Sequence, residues 1–129
     1  MIVMKFGGTS VESAEAIARC AGIVRARVDR KPVVVVSAMG KTTNRLLAIA
    51  QAAVAGGRDE AQLLLKDLQE FHRQESGMDG VVDEHFREMT DLVHGLAVLG
   101  ELTPRATDAI ASYGERLSSL IVAHLFQGH

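Results

Sequence analysis

The sequence predicts an α/β domain, and three features carry that prediction. Residues 1–6 form a short apolar run ended by Gly7-Gly8, and its length and its Ile and Val are typical of a buried strand. Residues 33–36 are four valines in a row, apolar on both faces, as in a central strand of a parallel sheet. A helical pattern lies between the two runs, so the order strand, helix, strand predicts a right-handed βαβ crossover.

Length and composition set the broad class. The 129 residues suffice for one domain, and the 47% hydrophobic residues suffice for a core. The net charge of −2 gives no indication of nucleic acid or an acidic membrane as a partner. Cys20 is the single cysteine, so no internal disulfide can form. With no apolar run of bilayer length and no basic leader, the expected location is the cytoplasm.

The first helix is expected to begin directly after the diglycine. Thr9 stands three residues before Glu12, which is the capping-box pattern of a helix start. Ile17, Cys20 and Val24 then share one face, and the pattern ends near Arg30.

Four further helices follow the second strand. Apolar spacing predicts them over residues 44–55, 59–74 and 80–99, and from Thr103-Pro104 towards the end of the chain. His85 and His124 fall on apolar faces and are expected to be packed, hydrogen-bonded core residues. Two strands are few for about five helices, so the sequence is typical of a piece of a larger α/β domain.

The first candidate site is the end of the first strand. Lys5 adds a positive charge there, Gly7 and Gly8 let the backbone approach an anion, and a helix N-terminus would supply free N–H groups. These residues therefore predict a phosphate site. The alternative is a tight turn beside an exposed lysine.

The second candidate site is the loop from Ser37 to Thr43. It follows the second strand, and the carboxyl ends of parallel strands meet at one edge, where ligands collect. A site shared by both loops is therefore expected. Gly40-Lys41-Thr42 resembles the end of a P-loop, but the required glycine five residues earlier is Val35, which excludes that motif.

Glu115 is the third candidate. It shares a helical stripe with small residues, where a carboxylate can bind an ammonium group, or it is a solvated residue beside Arg116. The five histidines have no metal-ligand spacing, and Cys20 has no cysteine partner, so no metal site is predicted.

Three segments together resemble the aspartokinases of the amino acid kinase family. They are KFGGTS at residues 5–10, VVVVSAMGKTTN at 33–44 and SYGERLSS at 112–119, and the resemblance extends through the whole chain. It implies the amino acid kinase (carbamate kinase-like) fold, a three-layer α/β/α sandwich around a mostly parallel sheet.

The resemblance also implies a reaction, in which ATP, with Mg²⁺, phosphorylates the side-chain carboxylate of L-aspartate. Lys5 would neutralise charge on the transferring phosphoryl group as the catalytic residue, while the Gly7 and Gly8 amides and Ser37 would hold ATP phosphates. Thr43 and Glu115 would help hold aspartate, with Glu115 near its α-ammonium. The product would lead toward lysine, threonine and methionine, and the full-length enzyme is expected to be a homo-oligomer.

The chain departs from this family in length. The 129 residues match only the N-terminal portion of an aspartokinase catalytic domain, so the C-terminal nucleotide-binding half and the regulatory ACT domains would lie outside it. The fragment is therefore expected to be inactive alone. Two other interpretations stay open: another amino acid kinase, acting on glutamate, acetylglutamate or a nucleoside monophosphate, and a non-catalytic helical interaction module.

Overall fold

The computed structural model describes residues 1–128 and contains the predicted elements: two strands and five helices. They follow one another as β1 (Ile2–Phe6), α1 (Ala14–Arg25), β2 (Pro32–Val36), α2 (Thr42–Val54), α3 (Arg58–Ser76), α4 (Asp79–Leu99) and α5 (Pro104–Gln127). Within these 128 residues, no helix has both the length and the apolar character that crossing a bilayer requires.

The chain divides into two compact units. The first, called the sheet unit below, comprises Met1–Lys41 and the chain from Glu115 onward. The second, the helical unit, comprises Thr42–Gly114.

The two strands of the sheet unit are parallel neighbours. Their register runs from Ile2 opposite Pro32 to Phe6 opposite Val36, as the predicted βαβ crossover requires. Both strands therefore end at the same edge of the sheet, where the two candidate loops begin.

One face of this sheet is covered and the other is open. Phe6 is buried, and a cavity of about 210 Å³ lies on the covered side between Val34 and Val36 of β2 and the end of α5. On the open face Val3, Val33 and Val35 are 68%, 47% and 44% exposed, respectively. The prediction that residues 33–36 are covered on both faces is therefore wrong for the part of the chain that the structure describes.

Helix α1 begins later than predicted. Its N-cap is Ser13, whose Oγ accepts a hydrogen bond from the Ala16 N–H at 3.1 Å, so the Thr9–Glu12 capping box does not start the helix. The residues between Gly8 and Ser13 form turns instead. The helix also ends earlier, at Arg25, because a short 3₁₀ turn (Val28–Arg30) and the left-handed Lys31 lead into β2.

The helical unit packs α2, α3 and α4 against one another. The apolar stripes that predicted these helices form its core, which includes Leu46, Ile49, Leu68, Phe86 and Met89. Helix α5 is capped as predicted, because the Thr103 Oγ1 accepts a hydrogen bond from the Ala106 N–H at 3.1 Å and Pro104 opens the helix.

The histidines are arranged differently from the expectation. His124 is exposed, so its assignment to the core is wrong, while His85 is half-buried and its Nδ1 lies 2.9 Å from the Val81 carbonyl oxygen. Among the histidines that the structure describes, the fully buried one is His72 in α3, which the sequence pattern did not single out. His72 lies among the apolar positions of α3 because its ring packs against the rings of Phe71 and Phe86.

Candidate active site

Two loops meet at the carboxyl edge of the sheet. The first, called the glycine turn, is residues 7–10; the second, called the serine loop, is residues 37–41. The Ser37 N–H donates a hydrogen bond to the Phe6 carbonyl oxygen at 3.0 Å, which continues the strand pairing into the loops. The sequence predicted this meeting from the parallel order of the strands, and the structure confirms it.

The glycine turn folds back on itself immediately after β1. The Ser10 N–H donates to the Gly7 carbonyl oxygen at 3.0 Å, and the Val11 N–H donates to the Gly8 carbonyl oxygen at 3.3 Å. Gly7 has no atom within 4 Å of the position its Cβ would take, whereas Gly8 lies against the serine loop. The two glycines therefore differ: Gly7 is open to an incoming group and Gly8 is a contact point.

Lys5 occupies the last but one position of β1, opposite Val35. It is exposed, and within residues 1–128 no carboxylate forms an ion pair with its ammonium group. The strand thus holds the Lys5 backbone beside the glycine turn while the charged end stays available to an anion.

The helix N-terminus expected beside the diglycine is not there. Helix α1 begins six residues after Gly8, at Ala14, and the Ser13 side chain caps its first turn. Any anion held by the glycine turn must therefore depend on loop amides and on the Lys5 ammonium rather than on the first residues of a helix.

The substrate-side candidates lie on two helices. Thr43 is half-buried in the first turn of α2, within the helical unit, beside Thr42, which is 1% exposed. Thr43 therefore has the more accessible hydroxyl of the two. Glu115 belongs to the sheet unit and is exposed on α5.

The small-residue stripe around Glu115 is split by packing. Ser118 and Val122 are buried at 0% and 4% exposure, while Ser119 is exposed like Glu115. Glu115 thus lies at the border of the packed face of α5. Among the hydrogen bonds and ion pairs of residues 1–128, none joins Glu115 to Lys5 or Ser37.

A cleft of about 380 Å³ opens beside the glycine turn, on the side of α1. Its lining includes Glu12, Arg19 and the buried Cys20, whose thiol donates to the Ser10 carbonyl oxygen at 3.2 Å. Burial raises the pKa of the Cys20 thiol despite the nearby Arg19. With one carboxylate beside one guanidinium that already pairs with Glu15, this cleft has no excess positive charge for phosphate.

The chain resembles known proteins over nearly its whole length. It is 40% identical to aspartokinase 3, chloroplastic, of Arabidopsis thaliana over 94% of its length, and 30% identical to lysine-sensitive aspartokinase 3 of Escherichia coli over 98%. It spans 23% and 28% of these two relatives, respectively, so it corresponds to about a quarter of each.

Solved structures give the same result. E. coli aspartokinase III in complex with aspartate and ADP (R-state) superposes with a TM-score of 0.80 at 29% identity, over 98% of this chain and 29% of that one. The same enzyme in complex with lysine and aspartate (T-state) gives a TM-score of 0.69 at 28% identity, over 97% and 28% of the two chains. The Amino acid kinase family matches residues 1–129, that is, all of the sequence. Its match to the family model over the full length of the sequence shows that this chain belongs to the amino acid kinase family.

Proposed function

We propose that this chain is the N-terminal part of an aspartate kinase, which transfers the γ-phosphoryl group of ATP to the side-chain carboxylate of L-aspartate. The observation that carries the proposal is the meeting of the glycine turn and the serine loop at the end of the strand that holds Lys5, which forms no ion pair within residues 1–128. The E. coli relative that superposes on the chain is a complex with aspartate and ADP, which supports this choice of substrates.

The reaction needs positioning and charge stabilisation more than covalent chemistry from the protein. A carboxylate oxygen of aspartate attacks the γ-phosphorus, the bond from that phosphorus to the β–γ bridging oxygen breaks, and ADP leaves with the bond electrons. The products are 4-phospho-L-aspartate and ADP, and no proton has to be moved. Negative charge accumulates on the phosphoryl oxygens and on the leaving group.

Lys5 fits the role of stabilising that charge. Its backbone is held by the parallel ladder, its ammonium is not neutralised by a neighbouring carboxylate in residues 1–128, and it stands two residues before the glycine turn. The amides of Gly7 and Gly8, together with Ser37, would hold phosphate oxygens. Backbone donors that are fixed before the reaction lower the barrier because no reorganisation is needed as charge develops.

Thr43 and Glu115 are proposed to bind aspartate. An exposed carboxylate at the border of a packed helix face can pair with the α-ammonium of an amino acid, and Glu115 has that placement. The rest of the aspartate site and the nucleotide-binding half would come from residues outside this chain, so these 129 residues alone are expected to be inactive.

Mg²⁺ is the expected companion of ATP in the full-length enzyme. Among residues 1–128, no group of three or more His, Cys, Asp or Glu side chains is placed to hold a metal ion. Mg²⁺ is commonly bound through substrate phosphates with one or two carboxylates. The ATP phosphates, rather than a preformed group of side chains in residues 1–128, would therefore supply most of the ligands of the ion.

The test uses the full-length protein and the substitution Lys5→Met, which removes the charge and keeps a long side chain. ADP release with aspartate is expected to fall about 10²–10³-fold in kcat, the range seen when one charge-stabilising group is removed. Lys66→Met, which removes an exposed lysine of α3, is the matched control and should leave the rate unchanged. Full activity of Lys5→Met would favour the non-catalytic helical module instead.

The choice of acceptor is tested separately. The full-length protein is assayed with aspartate, glutamate, acetylglutamate and a nucleoside monophosphate, and aspartate is expected to be the preferred acceptor. Glu115→Gln should raise the KM for aspartate because the amide loses the charge that attracts the α-ammonium. Preference for another acceptor would assign the chain to a different amino acid kinase.

The setting of the enzyme follows from the same proposal. The product would feed the biosynthesis of lysine, threonine and methionine, and the full-length enzyme would work as a homo-oligomer in the cytoplasm. The buried, free Cys20 supports a reducing compartment because it stands alone as a thiol.

A further inference from the structure

The glycine turn and the serine loop touch through two glycines. The Gly40 N–H donates a hydrogen bond to the Gly8 carbonyl oxygen at 2.9 Å. In the other direction, a Cβ on Gly8 would lie 2.8 Å from the Gly40 carbonyl oxygen and 3.1 Å from that of Ala38. The backbones are therefore in contact from both sides, and no side chain fits between them. This contact is called the glycine clasp below.

The two glycines are favoured for different physical reasons. Gly8 is required sterically, because the atoms that a Cβ would meet within 4 Å all belong to the backbone and cannot rotate away. Gly40 is favoured by conformation, because its φ is +54°, in the left-handed region. A Cβ on Gly40 would meet only Glu12, at an ordinary 3.6 Å, so space is not the constraint there.

Gly40 differs from the residues that are proposed to contact ATP. Its N–H already donates to Gly8, so it is not free to donate to a phosphate oxygen. Asn tolerates the left-handed region, whereas a β-branched residue does not. Gly40→Asn therefore keeps the clasp and Gly40→Val breaks it, although both add a side chain at the same place.

We propose that the glycine clasp sets the distance between the two loops and that Gly40 is a positioning residue for phosphoryl transfer. This inference rests on the proposed function. The clasp holds Ser37 and the amides of Gly7 and Gly8 in one arrangement, so that donors from two separate strands meet the same phosphate group. Displacing such groups by about 1 Å can lower a rate about 10²-fold.

The experiment compares five forms of the full-length protein: the wild type, Gly8→Ala, Gly40→Val, Gly40→Asn and the control Gly22→Ala. Gly22 is an exposed residue of α1 with no atom within 4 Å of a Cβ position, so its substitution probes a general glycine effect. Measured quantities are kcat with aspartate, the Kd for ADP and the midpoint of thermal unfolding. Gly8→Ala and Gly40→Val are expected to lower kcat about 10²-fold. Gly40→Asn and Gly22→Ala should stay close to the wild type, and all five proteins should remain folded at the assay temperature.

The double variant Gly8→Ala/Gly40→Val adds a second readout. Because both substitutions break one contact, the double variant should lose no more activity than the worse single variant. The proposal is overturned if Gly40→Asn loses as much activity as Gly40→Val, if Gly8→Ala and Gly40→Val retain wild-type kcat, or if their losses multiply in the double variant.

Failure of the proposed function is a separate outcome. A wild type that phosphorylates no aspartate would contradict that function. The Kd for ADP in the variants then tests whether the glycine clasp positions the two loops. A weaker Kd in Gly8→Ala and Gly40→Val, with Gly40→Asn unchanged, supports the clasp. Equal Kd values in all variants contradict it.

Discussion

His72 shows how a single residue can make stability depend on pH. It is fully buried in the helical unit, its Nδ1 lies 2.9 Å from the Leu68 carbonyl oxygen, and its Nε2 has no hydrogen-bond partner within residues 1–128. The carbonyl contact requires a proton on Nδ1, and because burial disfavours the charged ring, the favoured form is the neutral one with its lone pair on Nε2. Burial, assisted by the nearby Arg45, lowers the pKa of His72 even though the Leu68 carbonyl acts in the opposite direction.

The pKa of His72 predicts acid destabilisation. Between that lowered value and the ordinary 6.5 of a histidine, the unfolded chain binds more protons than the folded one, so stability is complete above about pH 6.5 and declines as pH falls. Urea unfolding of the chain at pH 7.5 and 5.5 should show this decline. The free energy of unfolding of His72→Gln, which cannot titrate, should fall less between these pH values. His94→Gln, at an exposed position, should lose as much stability as the wild type. Equal declines in all three proteins would contradict the role of His72.

The site residues show what sequence spacing can predict at this scale. Lys5, Gly7, Gly8 and Ser37 were placed at one edge because parallel strands end together, and the register confirms that placement. Gly40 was considered only as the end of a P-loop. Its left-handed φ and its bond to Gly8 depend on how the second loop folds over the first, and no local pattern encodes that.

At the scale of the element, helix α1 was predicted with the right face and the wrong start. Thr9 and Glu12 have capping-box spacing, but Thr9 lies inside the turn closed by the Ser10 N–H and the Gly7 carbonyl oxygen. Ser13 then caps the helix. Two polar residues four positions apart were both suitable caps by type, and only the path of the chain after Gly8 chose between them.

The cap assignment gives a stability prediction. Ser13→Ala should lower the free energy of unfolding by about 1 kcal/mol, because the Ala16 N–H loses its acceptor. Thr9→Ala, at an exposed turn position, should change it by less than about 0.5 kcal/mol. Urea denaturation of the two variants measures both values, and Ser13→Asp should preserve the cap. A larger loss from Thr9→Ala than from Ser13→Ala would restore the capping box as the helix start.

The valines of β2 illustrate a different limit of prediction from a sequence pattern. Four β-branched residues in a row correctly predicted a strand, and their two-sided apolar character predicted cover on both faces. The open face with Val3, Val33 and Val35 shows that residues 1–128 supply one of those covers. The sequence pattern indicates an environment for which the strand is suited, and residues 1–128 supply only part of that environment.

At the scale of the whole molecule, the two units should differ in local stability. A two-stranded sheet with an open face is marginal by itself, whereas α2, α3 and α4 bury a continuous apolar core. Hydrogen exchange followed by mass spectrometry should therefore show faster exchange in peptides from β1 and β2 than in peptides from α2 and α4.

A comparison between two helices, one from each unit, provides a control for the comparison of strands with helices. Peptides from α1, which belongs to the sheet unit, should exchange faster than peptides of similar length from α4. Uniform protection of both units would show that they open together as one cooperative body, contrary to the expectation.

By itself, the sequence determined the order of strands and helices, the parallel edge that gathers Lys5, the diglycine and Ser37, and the resemblance to amino acid kinases. The order of elements and the shared edge follow from local periodicity and from the rule that parallel strands end at one edge, whereas the resemblance rests on the three segments at residues 5–10, 33–44 and 112–119. Only the tertiary structure decided that Ser13 caps α1, that His72 rather than His124 is buried, and that Gly8 and Gly40 join the two loops. Each of these depends on contacts between residues distant in sequence or on the path of a loop, which local spacing does not specify.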